Sequence, residues 1–182
     1  MDSKLQIISG AHRGRKLYLP AGARPTQNMA RAALFNMLSG LLDRCAELVV
    51  WDAFAGSGAF GLEFLSRNPV NKVIFTDIVP NTVNKNLGLI GATATVLATD
   101  AIAAIGQFGA AADVIFIDPP YSERELGTRF VKKLTGVAKS GAILIWEFER
   151  SAGTPEIPGE WEILRDKTYG RARFLILRRR EQ

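Results

Sequence analysis

Short runs rich in Val, Ile, Leu and Phe alternate with helical segments through the middle of this chain, and this alternation constrains the fold more than any other feature. The apolar runs span 48–52, 72–77, 93–97, 113–117 and 141–146. Such nearly continuous runs are typical of parallel strands that are buried on both faces of a sheet. Helices are predicted between them at 59–67, 80–90, 101–107 and 123–138. The sequence therefore predicts an α/β fold on a mostly parallel sheet.

The two ends of the chain follow a different pattern. The segments 161–168 and 171–177 leave no room for a helix between them, which predicts an antiparallel hairpin. At the start, 5–9 and 15–19 predict a small hairpin, and Thr26 can cap a helix that runs to about residue 42. We therefore expect a seven-stranded sheet closed by a C-terminal hairpin (43–182), preceded by an extension made of a hairpin and a helix (1–42).

Composition narrows the class of protein. A chain of 182 residues, 47% apolar and 23% charged, is expected to form a globular protein with a single core. It contains neither an apolar run long enough for a bilayer nor a signal-peptide pattern at its start, which favours a cytoplasmic protein without membrane contact. Cys45 is the one cysteine, so an internal disulfide or a cysteine-based zinc site is excluded, and no metal is expected.

Positive charge is concentrated at both ends. Residues 1–35 carry six basic residues against one acidic, and residues 162–182 carry seven against three, whereas the segment between them is acidic on balance. This distribution is typical of a protein whose ends contact phosphates. The candidates in the extension are Arg13, Arg15, Lys16, Arg24 and Arg31. The alternative is that these basic residues only form a solvated surface.

A glycine-rich loop follows the first predicted strand, from Asp52 to Gly61. Its Gly56-x-Gly58-x-x-Gly61 spacing suits close approach of the backbone to a ligand, and it matches dinucleotide-binding loops as well. Asp52 argues against a dinucleotide, because two like charges 4 Å apart repel by about 4 kcal/mol at an effective dielectric near 20. S-adenosylmethionine has no phosphate and carries two cationic groups, so a carboxylate suits it, although Asp52 could instead only cap the helix.

Acidic residues also follow the next two predicted strands. Asp77 could accept hydrogen bonds from both ribose hydroxyls, and Asp100 could accept one from the adenine amine or cap the next helix. The predicted cofactor residues are Asp52, Phe54, Ala55, Gly56, Ser57, Gly58, Asp77, Asp100 and Ala101.

The most specific motif is Asp118-Pro119-Pro120-Tyr121, at the end of the fourth predicted strand. An exocyclic amine on a base is a poor nucleophile, because its lone pair is delocalised into the ring. The Asp118 carboxylate and the Pro119 carbonyl could each accept one N–H and turn the lone pair towards the methyl donor. Pro120 stiffens the segment, and Tyr121 offers a flat face for a flipped base. We predict these four residues to be catalytic.

Several of these segments resemble the RsmD-like family of 16S ribosomal RNA guanine-N2 methyltransferases. The matching pieces are Ile8-Ser-Gly10, Gly14-Arg15-Lys16-Leu17, Arg24-Pro25-Thr26, Leu34-Phe35-Asn36, Asp52 to Gly61 with Leu62-Glu63, Asp118 to Tyr121, and Tyr169-Gly170. The resemblance implies a monomeric class I methyltransferase with a Rossmann-like fold. It would use S-adenosylmethionine to methylate a guanine of small-subunit ribosomal RNA. In the helix after Arg-Pro-Thr, Asn28, Met29 and Ala32 depart from the family's charged residues, whereas Arg31 keeps its character.

Other functions remain open at this point. Adenine-N6 methyltransferases of DNA or RNA share the Asp-Pro-Pro-Tyr motif, but no segment here is large enough to read DNA in its major groove. A protein glutamine-N5 methyltransferase uses similar chemistry but has no need for basic termini. Outside this class stand an NAD-dependent oxidoreductase and a non-catalytic RNA-binding module.

Overall fold

The computed structural model describes residues 5–22, 28–42, 47–120 and 122–181. Its elements follow the alternation in the sequence. The helices are α1 (Asn28–Leu38), α2 (Ala59–Arg67), α3 (Asn81–Ile90), α4 (Ala101–Phe108) and α5 (Arg124–Thr135). The strands are β1 (Val49–Asp52), β2 (Lys72–Asp77), β3 (Thr95–Ala98), β4 (Val114–Ile117), β5 (Ile143–Glu149), β6 (Trp161–Tyr169) and β7 (Ala172–Arg179). A short 3-10 helix, Arg150–Ala152, follows β5.

The strands form a seven-stranded sheet in the order β3-β2-β1-β4-β5-β7-β6. Strands β1 to β5 pair in parallel, and β7 pairs antiparallel with both β5 and β6. This confirms the predicted α/β sheet and its C-terminal hairpin. Because the chain runs from β1 towards β2 and β3 and then returns to β4 on the other side, a crevice opens at the carboxyl ends of β1 and β4, where such sheets bind ligands.

Apolar side chains fill both faces of the sheet. One core contains the N-terminal hairpin, α1, α2 and α3, and the other contains α4 and α5. In the first core, Leu5, Ile7 and Leu17 are buried beside residues of β1, β4 and β5. The N-terminal extension therefore shares its core with the sheet. Within the described ranges, none of the helices is long and apolar enough to cross a membrane.

Polar contacts fasten the N-terminal hairpin to α2. The buried Glu63 carboxylate accepts hydrogen bonds from the backbone N–H groups of Ile8 at 2.8 Å and Ser9 at 2.9 Å. The Ser66 hydroxyl donates to the Ser9 carbonyl at 2.6 Å. A Cβ at Gly10 would lie 1.8 Å from the Ser66 carbonyl oxygen, so only glycine permits this approach. The hairpin is held in a fixed place on the sheet domain.

Two predicted elements at the start of the chain are shorter in the structure. The predicted strands 5–9 and 15–19 pair through one antiparallel bridge, between Gln6 and Lys16. Helix α1 ends at Leu38, because the Gly40 N–H bonds to the Met37 carbonyl in a tighter turn. The predicted cap, Thr26, lies outside the described residues.

Candidate active site

A cleft of about 1030 Å³ lies at the carboxyl ends of the central strands. The loops after β1, β2 and β4 and the start of α4 line it. Residues Leu19 to Gly22 of the N-terminal extension form part of its wall. Every predicted cofactor residue except Gly58 lines this cleft, as do Asp118, Pro119 and Pro120. The structure therefore brings the predicted cofactor and catalytic residues to one place. Tyr121 lies outside the described residues.

The three glycines of the loop after β1 have different surroundings. Gly56 has φ +53°, and a Cβ there would meet no atom within 4 Å, so this glycine leaves the backbone open to the cleft. Gly58 has φ +75°, and its Cβ would lie 3.2 Å from a ring carbon of Phe75. A Cβ at Gly61 would lie 2.4 Å from the same carbon. Gly58 thus turns the chain and packs on the core; it does not line the cleft, and its contact with the cofactor stays a prediction.

Asp52 ends β1 with its carboxyl group almost entirely buried, at 1% exposure. Its Oδ2 accepts a hydrogen bond from the Gly61 N–H at 3.1 Å, and its Oδ1 has no partner among the residues described. Burial raises the pKa of Asp52 well above its usual range, and the nearby carboxyl groups of Asp118 and Asp77 raise it further. A cationic ligand in the cleft would stabilise the ionised form and offset this shift.

Asp77 and Asp100 are both fixed by backbone N–H groups. Asp77 accepts from Gly56 at 2.7 Å through Oδ2 and from Val79 at 2.8 Å through Oδ1. An ionised carboxylate has about four acceptor positions, so both oxygens can still accept from hydroxyl groups. Asp100 caps α4 by accepting from the Ala103 N–H at 2.9 Å, which confirms the capping alternative for this residue.

Asp118 follows β4 directly and lies half-buried in the cleft. Burial raises the pKa of its carboxyl group to about 7. Pro119 is buried and Pro120 is exposed. Below the motif, the Phe116 ring stacks on Phe60, with 4.0 Å between ring centroids and 12° between planes. The motif therefore directly follows a strand whose last aromatic side chain is packed into the core.

The predicted RNA-binding residues divide into two groups. Arg13, Arg15 and Lys16 are exposed on the N-terminal hairpin, outside the cleft lining, whereas Arg24 lies outside the described residues. Arg31 is only 3% exposed and lines the cleft. Its position corrects the prediction that it belongs to a phosphate-binding surface, because the first turns of α1 carry it inwards against the core.

Asn86, on α3, is a functional candidate that the sequence reasoning missed. It is completely buried, and its Nδ2 donates to the Ser57 carbonyl at 2.8 Å and to the Tyr18 carbonyl at 3.0 Å. Its Oδ1 accepts from the Tyr18 N–H at 2.8 Å. Asn86 therefore ties the glycine loop to the segment before Leu19. A polar residue on the apolar stripe of Val83, Leu87 and Ile90 was the available signal.

Comparisons with known proteins identify the family of this chain. The family model described as Conserved hypothetical protein 95 matches residues 5–178. Ribosomal RNA small subunit methyltransferase D of Escherichia coli (strain K12) is 33% identical, with 100% of this chain and 93% of the relative covered. The Haemophilus influenzae protein of that name is also 33% identical, over 92% of this chain and 90% of its own.

Solved structures of similar proteins share the fold of this chain. The structure of yhhF from Escherichia coli matches with a TM-score of 0.81 and 32% identity, over 97% of this chain and 98% of that one. The Listeria monocytogenes protein lmo1582, assigned to the class I S-adenosylmethionine-dependent methyltransferases, shares the fold, with a TM-score of 0.69 and 13% identity over 90% of this chain and 63% of its own. The sheet and cleft therefore have the class I architecture. The chain belongs to the Conserved hypothetical protein 95 family, the RsmD-like methyltransferases.

Proposed function

We propose that this protein transfers a methyl group from S-adenosylmethionine to the exocyclic N2 amine of a guanine in small-subunit ribosomal RNA. The observation that carries the proposal is the meeting of two acceptor groups, Asp118 and the carbonyl of Pro119, with the glycine loop in one cleft. The relatives named as ribosomal RNA small subunit methyltransferases support the choice of RNA.

The residues of the cleft fit S-adenosylmethionine. Asp52 provides a buried carboxyl oxygen without a partner in the described chain, where a cationic group of the cofactor would be stabilised. Asp77 retains acceptor capacity for the ribose hydroxyls, and the backbone at Gly56 is open to the ligand. Phe54 and Ile78 add apolar surface to the same wall, suited to the adenine ring. When bound, this cofactor supplies a methyl group on a cationic sulfur.

The catalytic residues act on the amine. Asp118 and the Pro119 carbonyl would each accept one N–H of the guanine N2, which holds the nitrogen pyramidal with its lone pair towards the methyl donor. The nitrogen gains positive charge as it attacks, so both acceptors stabilise the transition state more than the ground state. The proton that nitrogen then loses can be taken by an Asp118 oxygen, whose pKa of about 7 suits transfer near neutral pH.

The extension would hold the RNA. Arg13, Arg15 and Lys16 stand exposed on a hairpin that Glu63 fixes to α2. Arg129 and Arg171 line the cleft itself, and both have exposed side chains. Contacts to phosphates position a nucleic acid without reading its sequence. We propose that a single chain suffices, because the described residues of one chain bring the cofactor residues and Asp118 to one cleft, and that it acts in the cytoplasm, where ribosomal subunits are found.

Methylation of isolated substrate tests the proposal. Small subunits, and RNA extracted from them, are prepared from cells that lack this gene, then incubated with the purified protein and S-adenosylmethionine carrying a labelled methyl group. Nucleoside mass spectrometry should find the label in N2-methylguanosine, and Asp118→Asn should serve as the inactive control of matched size. Label in N6-methyladenosine, in protein, or in neither would contradict the proposal.

A further inference from the structure

Arg31 combines burial with an incomplete set of hydrogen bonds. Its Nη2 donates to the Gln6 carbonyl and, at 3.3 Å, to the Asn28 side chain. Its Nε and Nη1 are buried without a hydrogen-bond partner among the described residues, although the side chain lines the cleft. Leaving a buried charged donor unpaired is strongly unfavourable. A ligand that offers an acceptor at this place would remove the deficit.

The position of Arg31 favours the methyl acceptor as that ligand. Glu147 of β5 is buried in the same cleft and interacts electrostatically with Arg31. Ile117 of β4 and Trp146 of β5 are register partners, so the residues that follow them, Asp118 and Glu147, are adjacent on the two parallel segments. Strand β5 lies on the opposite side of β4 from β1 and β2, which carry the glycine loop and Asp77. Glu147 therefore lies next to Asp118 on the side away from the cofactor residues, and Arg31 is close enough to interact with Glu147 electrostatically.

Charge favours a neutral acceptor over a second anion. Glu63, although it pairs with Arg67 at 2.8 Å, and Glu147 both contribute negative potential at the guanidinium. A further carboxylate, such as that of the cofactor, would be repelled by both. A carbonyl oxygen of a base accepts a hydrogen bond without adding charge.

We infer that Arg31 donates a hydrogen bond to O6 of the target guanine while N2 of that base is held at Asp118. This inference rests on the proposed function and adds a residue that determines its specificity. An adenine with its N6 amine at Asp118 would present its C2–H where guanine presents O6. The guanidinium would then stay unpaired, so the cleft would select guanine. One such contact discriminates between bases by about tenfold to a hundredfold.

The test compares two bases and two forms of the enzyme. Once the modified position is mapped, RNA is assembled with either guanosine or 2-aminopurine riboside there, since 2-aminopurine keeps the N2 amine and lacks O6. The parent protein should prefer guanosine in kcat/KM. Arg31→Met should lower kcat/KM for guanosine by about tenfold to a hundredfold and leave that for 2-aminopurine within about threefold. N1 also differs between the two bases, so the loss of preference in Arg31→Met assigns the effect to O6.

Controls separate this role from others. Arg129→Met, which removes an exposed arginine of the same cleft, should lower both substrates equally and preserve the preference. The double variant Arg31→Met/Glu147→Gln removes the buried negative charge of Glu147 together with the guanidinium, in case the single variant fails to fold. Calorimetry with S-adenosylhomocysteine should give an affinity within about threefold of the parent for each Arg31 variant.

Three results would overturn the inference. If Arg31→Met lowers kcat/KM equally for both substrates, Arg31 has a structural role and does not select the base. A loss of S-adenosylhomocysteine affinity of about tenfold or more would place it at the cofactor carboxylate instead. If the parent protein has the same kcat/KM for guanosine and 2-aminopurine, it makes no productive contact to O6, and this result needs no variant. If the parent methylates neither base, the proposed function fails, and this inference fails with it.

Discussion

Asp118 should make the reaction depend on pH, because only its ionised form offers a charged acceptor to the amine and can take up the proton that the nitrogen loses. Burial raises the pKa of this carboxyl group to about 7. With that pKa, about a tenth of the groups are ionised at pH 6 and about nine-tenths at pH 8. The rate should therefore rise about tenfold from pH 6 to pH 8 and change little above it. An unshifted aspartate, ionised throughout this range, would give no such rise.

The assay is methyl transfer at saturating S-adenosylmethionine and limiting RNA, because kcat/KM for RNA reports the titration of the enzyme before guanine contacts Asp118, and the cationic cofactor keeps Asp52 ionised. Asp118→Asn should lower the rate by about 10²-fold or more, since it removes one electrostatic contact in the transition state. The rate that remains should lose the rise around pH 7. A flat profile for the parent, or the same rise in the Asn variant, would refute the assignment of this titration to Asp118.

Three further predictions concern the cofactor and the RNA. Asp52→Asn should weaken S-adenosylmethionine binding by about tenfold or more, because an ion pair at an effective dielectric near 20 contributes a few kcal/mol; calorimetry that shows unchanged affinity would remove Asp52 from the cofactor site. Asn86→Leu loses three buried hydrogen bonds, so it should raise KM for S-adenosylmethionine and lower the free energy of unfolding by about 2–4 kcal/mol. If KM and the free energy of unfolding both match those of the parent, Asn86 does not connect the glycine loop to the N-terminal extension as proposed. Replacing Arg13, Arg15 and Lys16 together by Ala should flatten the dependence of log RNA affinity on log salt by about 2–3, with the rate at saturating RNA unchanged. An unchanged slope would leave the hairpin without RNA contacts.

The sequence was sufficient to predict the sheet because its signals are local. Helix α2 and strand β2 begin and end at the predicted residues, since each apolar run is bounded by polar residues or glycine. Helix α4 differs by one residue at its end. The loop and the Asp-Pro-Pro segment could be placed in one cleft because parallel strands bring their carboxyl ends to the same edge.

What the sequence could not provide is the direction of side chains that depend on packing between distant segments. Arg31 is basic like its neighbours in the extension, and only the packing of α1 against the core makes it buried. The role of Gly58 depends on Phe75, in a different element. Asn86 bonds to backbone 68 residues earlier, at Tyr18, a contact with no local pattern. Each of these differences arises where the N-terminal extension or the glycine loop meets the rest of the fold.

The central claim is that this chain methylates N2 of a guanine in the small-subunit RNA. The methylation state of that RNA in cells with and without the protein tests the claim directly. Small-subunit RNA from the source organism, with and without this gene, is digested and mapped by mass spectrometry. Loss of one N2-methylguanosine on deletion, with its return when the parent gene but not Asp118→Asn is restored, is the result we predict. An unchanged set of N2-methylguanosines in the deletion strain would contradict the account.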